Sequence, residues 1–414
     1  MMKLLLTFFA IFTVTMFSQT WQVVGEMPTP VSGGQAVVYG SKIYILGGFS
    51  ETLNSNVNTI QVYDPQSKTW SEAGSMKVQR ADFIAGVYSN KVYYAGGVSG
   101  NSPFSSSVEV WDFNSAPEVF KNENNFDRQY PTGQIINDNL YVFGGSVQNI
   151  TSPYMFEYNL TKSKVTYTDN SMFPSLYPSQ QMSAVIGNYI YLFGGARGVL
   201  INTILRFKID SKEFETMSAE LSKPRAGGVA VPYNGSSIII VGGFDETHQA
   251  LSSVDIFSTN EENGIVSPGP SLTYARVDPV AVNYYGDIYV FGGLDKEGQP
   301  VSQIEELTTA TTVVNYNNNL PPQSFELENN YPNPFNPSTQ IKFKIARSTE
   351  VSVDVYSILG KHIKNLTSKF YPPGEYNLTW NGVDDSGNQV PSGVYIYRLT
   401  SGYFSASKKM ILLK

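Results

Sequence analysis

The chain has 414 residues, 41% hydrophobic and 15% charged, with no cysteine, two histidines and a net charge of −7. Without thiols it has no disulfide framework, thiolate metal site, thiol nucleophile or iron–sulfur cluster, and His248 and His362 are too few for a multi-histidine metal centre. The acidic balance argues against a nucleic-acid surface, which needs a basic patch.

The 35 Gly, 23 Pro, 27 Tyr and 24 Phe describe short strands and tight turns. Lys3 followed by an apolar stretch over 4–17, broken only by Thr7, Thr13 and Thr15, predicts a signal peptide over 1–18, cleaved after Ser18. The stretch is shorter than the roughly 20 apolar residues of a spanning helix.

From there a repeat takes over. Diglycines stand at Gly47 and Gly48, Gly96 and Gly97, Gly144 and Gly145, Gly194 and Gly195, Gly242 and Gly243, and Gly292 and Gly293, at intervals of 49, 48, 50, 48 and 50 residues. Each closes a β-rich run such as IYILGG or LYVFGG, at a place that needs positive φ or close backbone approach. Before each run a tight hairpin is predicted, at Gly40–Ser41, Ser89–Asn90, Asp138–Asn139, Gly187–Asn188, Asn234–Gly235 and Gly286–Asp287. After each diglycine come a polar loop and a third strand ending at Tyr63, Trp111, Tyr158, Phe207, Phe257 or Leu307, then a fourth, clearest at Thr69–Trp70. Four strands in six units predict a six-bladed β-propeller over 19–310. The sixth unit lacks its own fourth strand, and TWQVVGEMPTP at 20–30 matches TWSEAGSMKVQ at 69–79. The N-terminal strand should therefore close the ring and cover both edges.

The long loops after the diglycines share one face and are the expected place for function. Arg80, Arg128 and Arg276 lie 16 residues before a diglycine and Arg225 lies 17 before, so half of the eight arginines share one repeat position. Val31 and Pro178 occupy it in repeats one and four. Four guanidinium groups at a channel mouth would take a carboxylate, a sulfate or an acidic peptide. The same position also suits structural pairing with a neighbouring blade, and Asp82 and Asp278, two residues beyond Arg80 and Arg276, would form local ion pairs on the same side of a strand. Sequence alone leaves both readings open. Glu51, Asp245, Glu246, His248, Asp295 and Glu297 also follow diglycines, but no spacing joins them into an acid–base pair. No catalytic residue, metal ligand or cofactor is assigned.

Residues 311–321, Asn-rich and ending in Pro321, read as a linker. The segment 19–321 carries 17 basic against 28 acidic residues, and 322–414 carries ten against seven. In this second domain, β runs at 340–345, 351–356, 361–366, 375–380, 394–399 and 407–413 predict an Ig-like β-sandwich. Asp384 to Asn388 lacks the alternating ligands of a calcium loop and reads as a hairpin turn.

The diglycine with Tyr63-Asp64-Pro65 and Trp70 resembles the Kelch repeat over about residues 20–310, with Val165 and Phe214 at the Trp position in repeats three and four. That resemblance implies binding of acidic peptides or glycans on the loop face. Its enzymes include a copper radical oxidase, excluded here by the absence of cysteine, and secreted enzymes of the sialic acid mutarotase kind. The residues NYPNPFNPSTQIKF, VYSILGKHI and SGVYIYRL, followed by KKMILLK, resemble the type A sorting domain of the type IX secretion system, with Pro334, Phe335, Gly393, Tyr395 and Lys409 in the matching motif. WNGVDDSGNQVPSGVYIYRL is similar to the Ig-like part of flagellar hook-capping proteins. These resemblances imply a secreted or surface-displayed propeller of a Gram-negative bacterium, with the type IX machinery and a glycan or protein ligand as partners.

Overall fold

The computed structural model describes residues 19–100, 106–122, 124–147, 150–151, 155–169, 178–308, 325–345, 349–358, 360–371, 374–401 and 404–413. The expected signal peptide and linker lie outside these residues.

Six four-stranded antiparallel sheets form the blades of the propeller. The first holds Gln35–Tyr39, Lys42–Leu46, Thr59–Asp64 and Thr69–Ser75, and the pattern repeats through the fifth, which ends at Ile265–Pro268. The sixth joins Val280–Tyr284, Asp287–Phe291 and Gln303–Leu307 to the N-terminal strand Gln22–Glu26, with Gln22 opposite Glu306 and Glu26 opposite Gln303. The predicted closure is therefore present. Trp21 anchors it to blade five through Nε1–H donated to Pro270 O at 2.8 Å, and Trp70 of blade one donates to Glu26 O at 2.9 Å.

Three hairpins differ from the expected turn: the loop at Asn234–Gly235 also takes in Ser236, since Tyr233 pairs with Ser237, and two others are displaced by one residue. The displaced loops are Asn137–Asp138 and Tyr285–Gly286, because Asn137 (φ 55°) and Tyr285 (φ 55°) take the left-handed conformation one position earlier. The Kelch aromatic pair is a cross-strand contact: Tyr63 faces Trp70, Tyr158 faces Val165 and Phe207 faces Phe214.

The apolar core lies between blades. Ile43, Ile45 and Tyr63 of blade one pack on Tyr289, Phe291 and Ile304 of blade six, and each remaining pair of neighbouring blades buries a cluster of its own. A blade is apolar on both faces and cannot bury either alone, so the ring stands or opens as a unit.

The second domain is the expected sandwich. Glu326–Leu327, Thr339–Ile345 and Gly374–Trp380 form one sheet, while His362–Tyr371, Thr349–Ser357, Gly393–Ser401 and Phe404–Leu412 form the other. Of its motif residues, Phe335 and Tyr395 serve packing, while Pro334 and Lys409 are exposed. Phe335 and Tyr395 flank the buried Trp380 at 5.6 and 5.1 Å between ring centroids, and the Phe335 backbone exchanges hydrogen bonds with Ile411 and Leu413. Asp384 closes its turn by accepting Asn388 N–H at 2.8 Å.

Candidate functional site

The repeat position of the four arginines is the place to begin, because it lies where each inner strand starts. All four side chains are buried, each 0–1% exposed. Arg276 donates from Nη1 to Gly292 O at 2.8 Å and from Nη2 to Gln303 O and Glu305 Oε1 at 2.8 and 3.0 Å. Arg80 repeats this on Gly96 O, Ser107 and Glu109, and Arg225 on Gly242 O, Ser253 and Asp255. Arg128 donates to Gly144 O at 2.9 Å and lies over the Phe156 ring. The guanidinium groups thus brace the first glycine of their own blade against its third strand. Burial lowers the pKa of Arg80, Arg225 and Arg276, and the facing carboxylates oppose that shift.

The anion-binding expectation for Arg80, Arg128, Arg225 and Arg276 is corrected by this burial: none presents its charge to the channel. The pairing is also within a blade, not between blades. Asp82 and Asp278 are not the partners either. The same-side argument assumed extended backbone, whereas Asp82 (φ 53°) and Asp278 (φ 47°) are left-handed and turn away from the arginines.

The partners were legible by another route. The residue across from the position two before each diglycine is Gln61, Glu109, Phe156, Leu205, Asp255 or Glu305. An acid or an aromatic appears there only where the arginine is present.

The diglycines join blades. Gly293 N–H bonds Val31 O at 2.9 Å, and Gly48, Gly97, Gly195 and Gly243 bond the carbonyls of Arg80, Arg128, Arg225 and Arg276. A Cβ at Gly292 would stand 2.0 Å from Val31 O, which excludes any side chain.

Two residues after the arginine position, six residues with φ between 47° and 62° encircle the axis: Gly33, Asp82, Tyr130, Gln180, Gly227 and Asp278. They are linked from blade to blade through the backbone. Asp82 N donates to Gly33 O (2.7 Å), Gln180 N to Tyr130 O (3.2 Å), Gly227 N to Gln180 O (3.1 Å), Asp278 N to Gly227 O (2.7 Å) and Gly33 N to Asp278 O (2.9 Å). The residue before each pairs with the start of a long loop, as Ser32 with Phe49 and Val277 with Leu294, so this girdle sits on the long-loop face.

Inside the girdle is a cavity of about 130 Å³ lined by Asp82, Asp278, Tyr130, Gln180, Gln181 and Gln35, among others. A wider compartment of about 530 Å³ adjoins Ser183 and Ala230, which line both, and is bordered largely by small residues such as Ala36, Gly86 and Ala281. Burial raises the carboxyls of both Asp82 and Asp278, and for Asp82 the like charge of Asp278 adds to it. Burial and the same two carboxyls push Tyr130 up to about 12, so its hydroxyl keeps its proton.

Sequence reasoning named Asp82 and Asp278 only as arginine partners and missed Tyr130, Gln180 and Gln181. The usable signal was that Gly, Asp, Tyr and Gln, all tolerant of turns or polar, recur at one repeat offset. The loop acids do not line the cavity. Asp245 and Asp295 accept backbone N–H groups of their own loops, His248 stacks on Phe244, Glu297 pairs with Lys296, and Glu51 O accepts Asn54 N–H, while Glu246 is exposed.

The Attractin/LZTR1 beta-propeller family matches residues 6–250, more than half of the chain, and the FlgD Ig-like domain family matches residues 332–403. An F-box/kelch-repeat protein of Arabidopsis thaliana is 36% identical over 103 residues, and the match spans 22% of this chain and only 27% of that relative's length. Among solved structures, YjhT aligns with a TM-score of 0.60 at 16% identity, over 70% of this chain and 98% of its own. That identity carries the fold and no more.

Proposed function

Since the chain belongs to the Attractin/LZTR1 beta-propeller family, we propose that it is a binding protein whose glycan or protein ligand seats in the channel on the long-loop face. The observation that carries this reading is the girdle cavity, where polar side chains converge without satisfying one another. The side chains of Asp82 and Asp278 border the cavity and neither has a hydrogen bond or ion pair among the described residues. Half-buried and accessible from the cavity, these carboxyls are open to the donors of a ligand seated there.

The C-terminal sandwich is proposed as the sorting domain that places the propeller outside the cell through type IX secretion. Its support is the order and spacing of the motif around Pro334, Phe335, Gly393, Tyr395 and Lys409.

The test of the binding reading is calorimetric titration of the whole chain with a panel of glycans and peptides, repeated on Gln35→Trp. Gln35 borders the cavity and its side chain makes no hydrogen bond among the described residues, so an indole there obstructs the mouth at little structural cost. Saturable binding that Gln35→Trp abolishes is expected; binding that survives the substitution would move the ligand elsewhere.

A second reading, a secreted carbohydrate-active enzyme of the sialic acid mutarotase or epimerase kind, is supported by the carboxyl pair. Burial raises both carboxyls, so either can carry a proton into the channel and act as a general acid there. The braced arginines remove the anion contact that reading relied on. Anomer interconversion followed by NMR, lost in Asp82→Asn, would establish it.

A further inference from the structure

We infer that the hairpin face of the propeller is a docking surface for the chain's own C-terminal sandwich, which is seated on Tyr285. From the channel reading the inference takes only which face meets the ligand.

The first residues of the six hairpin loops, Gly40, Ser89, Asn137, Gly187, Asn234 and Tyr285, all take the left-handed conformation, with φ between 45° and 58°. Five of these positions hold glycine, asparagine or serine. A bulky aromatic residue at positive φ is an outlier that persists only where its surroundings hold it. Within the propeller two contacts hold this one. Tyr285 Oη–H donates to Gly40 O at 2.5 Å, and its ring meets Tyr284 edge-on at 4.9 Å. Tyr284 already clamps the same blade-one hairpin, since its Oη–H donates to Ser41 O at 2.9 Å. A second clamp does not by itself account for a tyrosine in a place suited to glycine.

The third contact comes from outside the propeller. Phe325, where the described part of the second domain begins, sets its ring against Tyr285 with centroids 5.9 Å apart and planes at 47°. Each ring is rooted in a core. Tyr285 packs on the cluster shared by blades six and one, and Phe325 packs on the cluster inside the sandwich. One aromatic pair thus joins two apolar cores, and such pairs gain from their geometry beyond the area they bury.

The strand Val280–Tyr284 leads from the girdle residue Asp278 to this hairpin, so Phe325 sits at the opposite end of the blade from the girdle. Asn283, Tyr285 and Gly286 also line the wider compartment, which places the sandwich beside its hairpin end. Docked there, the second domain leaves the long-loop face free. The ligand face and the carrier domain then point in opposite directions.

The experiment is small-angle X-ray scattering of the whole chain and of Tyr285→Phe, Tyr285→Gly, Phe325→Ser and Asn234→Gly, each with its melting temperature. Tyr285→Phe keeps the ring and loses the hydroxyl, whereas Tyr285→Gly loses both and relieves the positive φ. Asn234→Gly makes the same backbone change in blade five and is the control. Linked domains move freely unless an interface holds them, so loss of docking reads out as expansion. The unmodified protein, Tyr285→Phe and Asn234→Gly should share one radius of gyration, and Tyr285→Gly and Phe325→Ser should show a larger one. If Tyr285→Gly lowers the melting temperature of the propeller, Phe325→Ser, which lies outside the ring, decides the matter. An unchanged radius in both variants would overturn the docking. Expansion of Tyr285→Phe to the same extent as Tyr285→Gly would overturn it too, leaving Tyr285 as a clamp. Titration of Tyr285→Gly with the panel of glycans and peptides should match the unmodified protein. Binding lost together with compactness would overturn the separation of the two faces, while Gln35→Trp still decides the channel reading on its own.

Discussion

Asp82 leans onto Gly33 of the preceding blade so closely that a Cβ on Gly33 would lie 2.3 Å from its Oδ1. The two residues share the left-handed conformation, and Asp82 N–H donates to Gly33 O at 2.7 Å. The backbone link fixes the blade spacing, and the missing side chain gives the carboxyl its place. Gly33→Ala should therefore cost stability through the positive φ, about 1 kcal/mol, and should also displace the carboxyl. A lowered melting temperature together with weakened ligand binding is expected. An unchanged protein would remove the role assigned to the glycine.

The arginine brace makes a different prediction. Arg276→Ala strands Glu305, 0% exposed, without its counter-ion. The cost of breaking such a buried pair is about 3–5 kcal/mol, and Glu305→Ala should be comparably damaging. The double variant should lose less than the sum of the two in urea unfolding, since the stranded charge is gone. Full additivity would mean that the two residues act independently.

Ring closure is tested by deleting residues 19–26. This removes Trp21, its bond to Pro270 O and the whole outer strand of blade six, and exposes the edge of Gln303–Leu307. Cooperative unfolding should shift to markedly lower urea and self-association should appear. An unchanged unfolding curve would contradict the closure.

The carboxyl pair gives a pH dependence of definite sign. A carboxyl raised in the folded state holds a proton that the unfolded chain has already released, so the folded state binds more protons. The contribution of Asp278 is fully present below the unfolded value near pH 4 and is lost as pH rises through its raised folded value. Asp278→Asn should flatten the fall in stability between about pH 4 and neutrality and should help most at the alkaline end. A slope identical to that of the unmodified protein would contradict the burial of the charge.

Export is tested by deleting residues 322–414 in a host that has type IX secretion. The propeller should then remain within the cell envelope. Its continued appearance outside would refute the sorting role.

The architecture could be read from the chain because a diglycine at near-constant spacing is a backbone requirement, and the N-terminal match to the fourth strand is a pairing requirement. The site was harder to read for the same reason that it exists. Asp82 and Asp278 follow arginines at a spacing that, on an extended strand, places them on one side. A single left-handed residue breaks the alternation and sends each carboxyl to the axis. The arginine partners lie about thirty residues away, on the third strand, and become visible only when the repeats are aligned on their cross-strand register. Gln181 left no sequence signal, since an unpaired amide is a property of packing.

The central claim separates two residues that stand two apart: Arg276 holds the blade together and Asp278 meets the ligand. The direct measurement is the melting temperature of the unmodified protein, Arg276→Gln and Asp278→Asn, each with and without the ligand found by titration. Arg276→Gln should start lower and still rise with ligand, and Asp278→Asn should start near the unmodified protein at low pH and fail to rise. The reverse pattern, with ligand response lost in Arg276→Gln and kept in Asp278→Asn, would contradict the account.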